Sequence, residues 1–270
     1  MKPSTDLLRV SGVASVVPAD EPSWAERISP AEKRRAPRIW QMASVAAHRL
    51  CDPRPEIRLR SLVVATGLGA LDETRCFLDG VFREGHGSPR NFIASVHNSM
   101  GGKLAQDLMI DGPSLTLCDA QNSFAAALGS VDLLHDDELP ALVMVVDESV
   151  ELLDQLLPHL SDGCRQFLRP GWREAAVAFL CSRDGAAGPT LRAAGPMPVA
   201  DVPADDTCGA LSAEAFGADR NVLALAECST SFPMPAMAAA RLLRSGNRGR
   251  FVVPSYAPWA QALALVEVCV

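Results

Sequence analysis

The chain has 270 residues, 48% of them apolar, with 5% aromatic residues and a formal net charge of −7. That length allows one large domain or two small ones, and the few aromatics predict a core of Ala, Val and Leu, as in layered α/β proteins. The negative balance argues against a nucleic-acid groove. No apolar run approaches the ~18 residues needed to span a membrane, and the N-terminal MKPSTDLLRV lacks the apolar core of a signal peptide. The eight cysteines show no C-x-x-C, so they are read as reduced core thiols of a cytoplasmic protein, ahead of disulfides or zinc.

In chain order, Val10, Val13, Val16 and Val17 suggest a strand or two. Ser29-Pro30 is an N-cap followed by Pro at the first helical position, and Ala31–Leu50 reads as a helix that Pro37 divides. It begins basic (Lys33, Arg34, Arg35, Arg38), which is read as a solvated face rather than a surface for an acidic carrier protein. Arg60–Ala65 is a buried strand running into Thr66-Gly67-Leu68-Gly69-Ala70; a lone Gly-x-Gly is weak evidence for a dinucleotide. Leu71–Arg83 is a helix, Gly85–Arg90 a loop, Asn91–Gly102 a small-residue turn, and Lys103–Met109 a helix. His97 is the tempting single residue of that turn. Holding the turn is the preferred reading, and bonding substrate or a partner's loop is the other.

Asp111–Leu134, DGPSLTLCDAQNSFAAALGSVDLL, is the stretch that organises the rest. A Gly-Pro turn leads into a short apolar strand, Ser114–Leu117, read as buried. Ser123–Leu134 then reads as a helix rich in Ala125, Ala126, Ala127, Gly129 and Ser130, the composition of a helix inside a domain. Cys118 between them is read as a small core thiol rather than a displaced nucleophile. Ala141–Val146 is a second buried strand ending at Asp147-Glu148, a carboxylate pair whose place at a strand end is open to a catalytic role but which is expected to cap the helix Ser149–Leu157. Gly171–Cys181 holds a further strand. Ser182–Asp206, rich in Gly, Pro and Ala, is expected to be a linker or irregular excursion. Asn221–Glu227 is a short strand, Pro233–Leu243 a helix, and Arg250–Tyr256 and Gln261–Val268 are closing strands.

The Gly-Pro turn, short strand, elbow Ala120 and small-residue helix resemble the nucleophile elbow of the β-ketoacyl synthases. Thr66–Ala70 and the EAAVAFL segment fall in the matching order. The resemblance implies an α/β, thiolase-like layered fold with one full half (residues 1–181), an excursion (182–220) and an abbreviated second half (221–270). In that family the residue after the elbow Ala is the acyl-accepting cysteine; here it is Gln121, which cannot carry a thioester. The family's second half supplies two histidines. Here the histidines stand at 48, 86, 97, 135 and 159, none later, and Phe232 stands about where one of those two would be. No catalytic residue is therefore expected, and Gln121 marks a pseudo-nucleophile position. Other catalytic patterns, metal ligands and cofactor motifs are absent from the sequence.

The resemblance implies a chain-length-factor-like subunit of the aryl polyene or type II polyketide kind. Such a subunit pairs with an active β-ketoacyl synthase, shapes its acyl tunnel, and meets acyl carrier protein through that partner. Residues expected at the pocket or interface are His97, Asn98, Met100, Ser114, Leu115, Thr116, Leu117, Phe124 and Phe232. The alternatives are a malonyl-carrier-protein decarboxylase using Gln121, and a self-associating structural protein of the same fold.

Overall fold

The computed structural model describes residues 7–160, 162, 165, 173–183 and 188–270. It begins with strand β1 (Leu8–Val16), then α1 (Pro30–Arg35) and α2 (Arg38–Cys51). Ser29 and Glu32 form a reciprocal capping box, Ser29 Oγ accepting from Glu32 N–H at 3.2 Å and Glu32 Oε2 accepting from Ser29 N–H at 3.1 Å. Pro37 then separates the two helices, as expected. β2 (Ser61–Thr66) and α3 (Leu71–Arg83) follow the predicted bounds closely.

The expected loop and turn at 85–102 instead contain α4 (Pro89–Ser95), and α5 runs from Ser99 to Asp107. The signal for α4 was the same as for α1: Ser88 caps it, accepting from Asn91 N–H at 3.4 Å, and Pro89 follows. β3 (Ser114–Cys118) leads through a single tight turn of 3₁₀ helix, Ala120–Asn122, into α6 (Ser123–Val131). β4 (Ala141–Asp147), α7 (Glu151–Leu156) and β5 (Ala175–Ser182) come next. Gly171 and Trp172, at the start of the segment predicted to hold β5, lie outside the described residues.

The predicted linker is overturned in its middle. Thr190–Pro198 is a strand, β6, inside the sheet; residues 184–187 lie outside the described residues. The Gly and Pro that read as linker mark a bulge, where the register against its neighbour shifts between Ala194 and Met197. Gly195 sits there at φ 102°, and a Cβ would come 2.9 Å from Leu263 O. α8 (Asp205–Phe216), β7 (Asn221–Val222), α9 (Leu225–Cys228), α10 (Met234–Arg244), β8 (Arg250–Ala257) and β9 (Ala262–Cys269) follow.

The described strands form one sheet in the order β3-β2-β4-β5-β1-β6-β9-β8-β7. β3, β2 and β4 are mutually parallel, and the other pairings are antiparallel except β7 with β8. β1 meets β6 only at Leu8 and Arg9, so the sheet has two wings with a narrow join. One core packs α6 and α10 between the wings, through Val63, Val143, Phe179, Val253 and Val266 among others. A second core sets α2 and α5 on the outer face of the first wing. A third sets α8 outside the second wing. The result is five layers, helix–sheet–helix–sheet–helix, the layered α/β fold expected.

That layering explains the burial pattern. β2 and β4 are buried along their whole length because helices cover both faces, so their sequences show no alternation. α6 is buried as its small residues implied. β3 is the exception: it forms one edge of the sheet, and Ser114, Leu115 and Cys118 are exposed. The buried strand expected there is corrected to an open edge.

Candidate functional site

Three parallel strands, β2, β3 and β4, end on the same side of the first wing. In open α/β sheets that is where loops build sites. β2 ends in the turn Thr66–Ala70, β3 in the elbow Asp119–Asn122, and β4 in Asp147-Glu148.

Asp147 ties the first and third of these together. Its Oδ1 accepts from Thr66 Oγ1 at 2.8 Å, Gly67 N–H at 2.8 Å and Leu68 N–H at 2.9 Å, and Oδ2 accepts from Gly67 N–H at 2.9 Å. Thr66 Oγ1 in turn accepts from Gly69 N–H at 2.8 Å. Burial pushes the carboxyl pKa up to about 7, against the pull of those donors toward the charged form. Glu148 reaches the other way and accepts from Ile39 N–H, at the start of α2, at 3.0 Å. Neither carboxylate caps α7, whose N-cap residue is Val150 without a side-chain bond. The capping expected of this pair is thus corrected: Asp147 clamps the β2 turn and Glu148 serves α2. The reason is direction, since the two adjacent side chains point to opposite sides, one to the β2 turn and one to α2.

Burial, then repulsion from Asp72, pushes the Glu148 pKa up from 4.5 to about 8. A carboxyl whose folded pKa is raised binds its proton more tightly folded than unfolded. Its contribution to stability is present below pH 4.5 and is lost as pH rises through about 8. The melting temperature should therefore fall across that window. Glu148→Gln, which keeps an acceptor for Ile39 N–H, should flatten the slope. An unchanged slope in that variant would remove Glu148 as its source.

At the elbow, Ala120 has φ 46°, a region that non-glycine residues occupy uncommonly. Ser123 secures the turn: its hydroxyl bonds Thr66 O at 2.7 Å and Ala120 O at 2.8 Å, and accepts from Asp119 N–H at 2.8 Å. Asn122 anchors the elbow to the second wing, donating to Ala262 O at 3.0 Å and accepting from Ser255 Oγ at 2.9 Å. Gln121 is fully buried, yet neither its amide oxygen nor its nitrogen has a hydrogen-bond partner among the described residues. The bonds of this turn are made by its neighbours Ser123 and Asn122 instead. Gln121→Leu, which removes an unsatisfied buried amide, should be neutral or stabilising by up to ~1–3 kcal/mol in chemical denaturation. A loss of stability would show that the amide is satisfied after all.

The remaining expected site residues fall into groups. Ser114, Leu115, Thr116 and Leu117 lie along the open β3 edge. His97 is exposed, with its ring against Gly69; a Cβ there would approach His97 Cδ2 to 2.5 Å. It shares a narrow crevice with Trp40, Thr66, Ala70 and Met100, and Met100 itself is a core residue on the buried face of α5. Asn98 is exposed at the head of α5. Phe124 is fully buried and stacks on Phe179 at 5.0 Å, so it belongs to the central core. Its small neighbours in α6 leave room for it between the wings.

Cys118 is exposed, a correction to the core-thiol reading, although Cys181, Cys208 and Cys228 are buried as expected. Its Sγ lies 3.3 Å from Gly67 O, and burial of the sulfur with the nearby Asp147 holds its pKa above the usual thiol value. A thiol so placed is a poor nucleophile. Phe232 is buried against the Gly67 turn. Sequence reasoning missed the clamp role of Asp147. Its signal was a carboxylate at a strand end facing a Gly-x-Gly turn with free N–H groups. Among the described residues no cluster of His, Cys, Asp and Glu could hold a metal, and no helix is long and apolar enough to cross a membrane.

The model of the β-ketoacyl synthase N-terminal domain family matches residues 11–189. No curated protein matches in sequence. Among solved structures, the chain is similar to one from the complex of the ketosynthase ApeO with its chain length factor ApeC from Xenorhabdus doucetiae. The TM-score is 0.64 and identity 15%, covering 98% of this chain and 99% of that one. It is also similar to the ishigamide ketosynthase/chain length factor, at TM-score 0.71 and 14% identity over 98% and 99% of the two chains. A third relative comes from the AntDE:AntF complex, a type II acyl-carrier protein with its ketosynthase bound to the hexaketide. There the TM-score is 0.66 and identity 12%, over 98% and 100%. At such identities these likenesses speak to the fold, and it is the family match over most of the chain, together with the layered fold and the strand–elbow–helix geometry, that shows this chain to belong to the β-ketoacyl synthase family.

Proposed function

We propose that this chain is a non-catalytic, chain-length-factor-like subunit that pairs with an active ketosynthase and shapes its acyl tunnel. The observation that carries the reading is the elbow. The strand–turn–helix geometry is kept, with Ala120 at φ 46°, but neither Ala120 nor Gln121 offers a nucleophile. Condensation needs an acyl acceptor and groups that stabilise an oxyanion. The histidines all stand at or before 159, so the second half supplies none. The relatives solved as ketosynthase/chain length factor assemblies support the pairing. Contact with acyl carrier protein then runs through the partner, in the cytoplasm. The decarboxylase alternative is disfavoured because the Gln121 amide is fully buried, out of reach of a malonyl group.

Two measurements test this. Alone, the protein should take up no acyl group from acyl carrier protein and release no carbon dioxide from malonyl carrier protein. An acyl adduct in an intact-mass spectrum would overturn that. Co-expressed with an active ketosynthase, it should elute at the mass of a one-to-one pair. A stable homodimer that ignores the ketosynthase would favour the self-associating reading instead.

A further inference from the structure

The two wings part beside β1. Its one side pairs with β5 along most of its length, while the other meets β6 only at Leu8 and Arg9. Near the far end of β1 a cleft of about 360 Å³ opens between the two halves of the chain. The end of β1 and Arg49 of α2 wall one side, and α10 walls the other with Met237, Arg241 and Arg244. These three stand four and three residues apart, so one face of the helix carries them all.

The chain's net charge is −7, yet this cleft is cationic. Each of its carboxylates is already matched. Glu21 takes Arg49 in a two-pronged pair, both bonds at 2.7 Å, and Asp20 accepts from Arg173 at 3.2 Å. Arg241 and Arg244 are left over, and neither is paired with an acid among the described residues. A cation in the last turn of a helix eases the dipole. Arg244 serves that end with one group only, its Nε donating to Ala240 O at 3.1 Å. Its Nη2 reaches across the cleft and donates to Ser15 Oγ at 2.8 Å. Arg241 makes no hydrogen bond among the described residues, so its donors are unspent. Burial, then the neighbouring Arg241 charge, lowers the Arg244 pKa, a repulsion that a bound anion relieves.

We propose that this cleft binds a phosphate group carried on a small organic body. Arg241 and Arg244 hold the phosphate oxygens, two guanidiniums facing a dianion. The Ser15 hydroxyl accepts from Arg244 and keeps its own proton to donate to the same oxygens. The cleft is larger than inorganic phosphate fills and falls at the lower end of small-molecule pockets. Met237 and Val17 give the organic part an apolar wall. In the sheet β1 lies four strands from the open β3 edge. The cleft thus stays reachable when that edge is covered, and the site stands or falls separately from the pairing reading.

Calorimetric titration of the full chain with phenyl phosphate tests this, at fixed ionic strength and slightly above neutral pH, where the phosphate is a dianion. One-to-one saturable binding is expected, about tenfold tighter or more than for inorganic phosphate or for benzoate. Arg241→Gln removes a cation that bonds nothing within the described chain. It should leave the melting temperature unchanged and weaken binding about tenfold or more. Arg241→Gln combined with Arg244→Gln should abolish binding. Absence of saturation, or binding that survives both changes, would overturn the site. Benzoate binding as tightly as phenyl phosphate would overturn the phosphate assignment, and equal affinity for inorganic phosphate would overturn the organic body. If the double variant fails to fold, Arg241→Gln alone decides, and unchanged affinity in it overturns the site.

Discussion

Asp147→Ala should lose about 3–5 kcal/mol of stability, the largest loss expected of any single side chain near the elbow. The carboxylate is 1% exposed and accepts from three donors, the Thr66 hydroxyl and the N–H groups of Gly67 and Leu68. Truncation leaves all three buried or half-buried with no replacement acceptor. It also frees Gly67, on which Phe232 packs, so the damage spreads from a hydrogen-bonded turn to an apolar cluster. Asp147→Asn separates the two effects. It keeps the shape and one oxygen acceptor but turns an amide nitrogen toward groups that are themselves donors, so its loss should be intermediate. Urea denaturation of the three proteins measures this. A midpoint for Asp147→Ala close to that of the unaltered protein would show that the turn holds its shape without the clamp.

How much of this was legible beforehand depended on whether a segment's signal was local. α3 and the hairpin of β8 and β9 were readable because apolar period and punctuating Gly or Pro agreed. β6 was not, because Gly195 and Pro196 look like linker residues until β9 supplies a partner that tolerates the bulge. The openness of β3 was also hidden. SLTLC is as apolar as a buried strand, and only the sheet order shows that nothing described lies beyond it. The elbow region was legible as a place, from Gly-Pro and the small-residue helix. Its interior was not: that Ser123 and Asn122 satisfy the turn while Gln121 bonds nothing is set by contacts with Thr66, Ser255 and Ala262, far away in sequence. For the same reason Phe232 could be aligned with a lost histidine but not seen as the ring packed against the Gly67 turn.

Thr116→Pro should abolish pairing with the ketosynthase while leaving the separate chain folded. β3 joins the sheet through β2 alone, in parallel register with Thr116 opposite Val64. Leu62 N–H donates to Pro113 O at 2.9 Å, which phases the ladder. Alternate residues then bond to β2, and the N–H of Thr116 faces the open edge. An edge strand with free N–H and C=O groups and an exposed Leu115 is a ready template for another strand. Proline at 116 deletes an outward donor and puts its ring in the path of an incoming strand, without removing a bond to β2. Within the chain the cost should be modest, since Thr116 is only half-buried and its hydroxyl makes no hydrogen bond among the described residues. The melting temperature should therefore stay within a few degrees, while size-exclusion mass measurement after co-expression should show two separate species. If the folded Thr116→Pro chain still co-elutes with the ketosynthase, the interface lies elsewhere. The exposed Phe82, Phe92 and Ile93 of α3 and α4 would then be the next surface to alter.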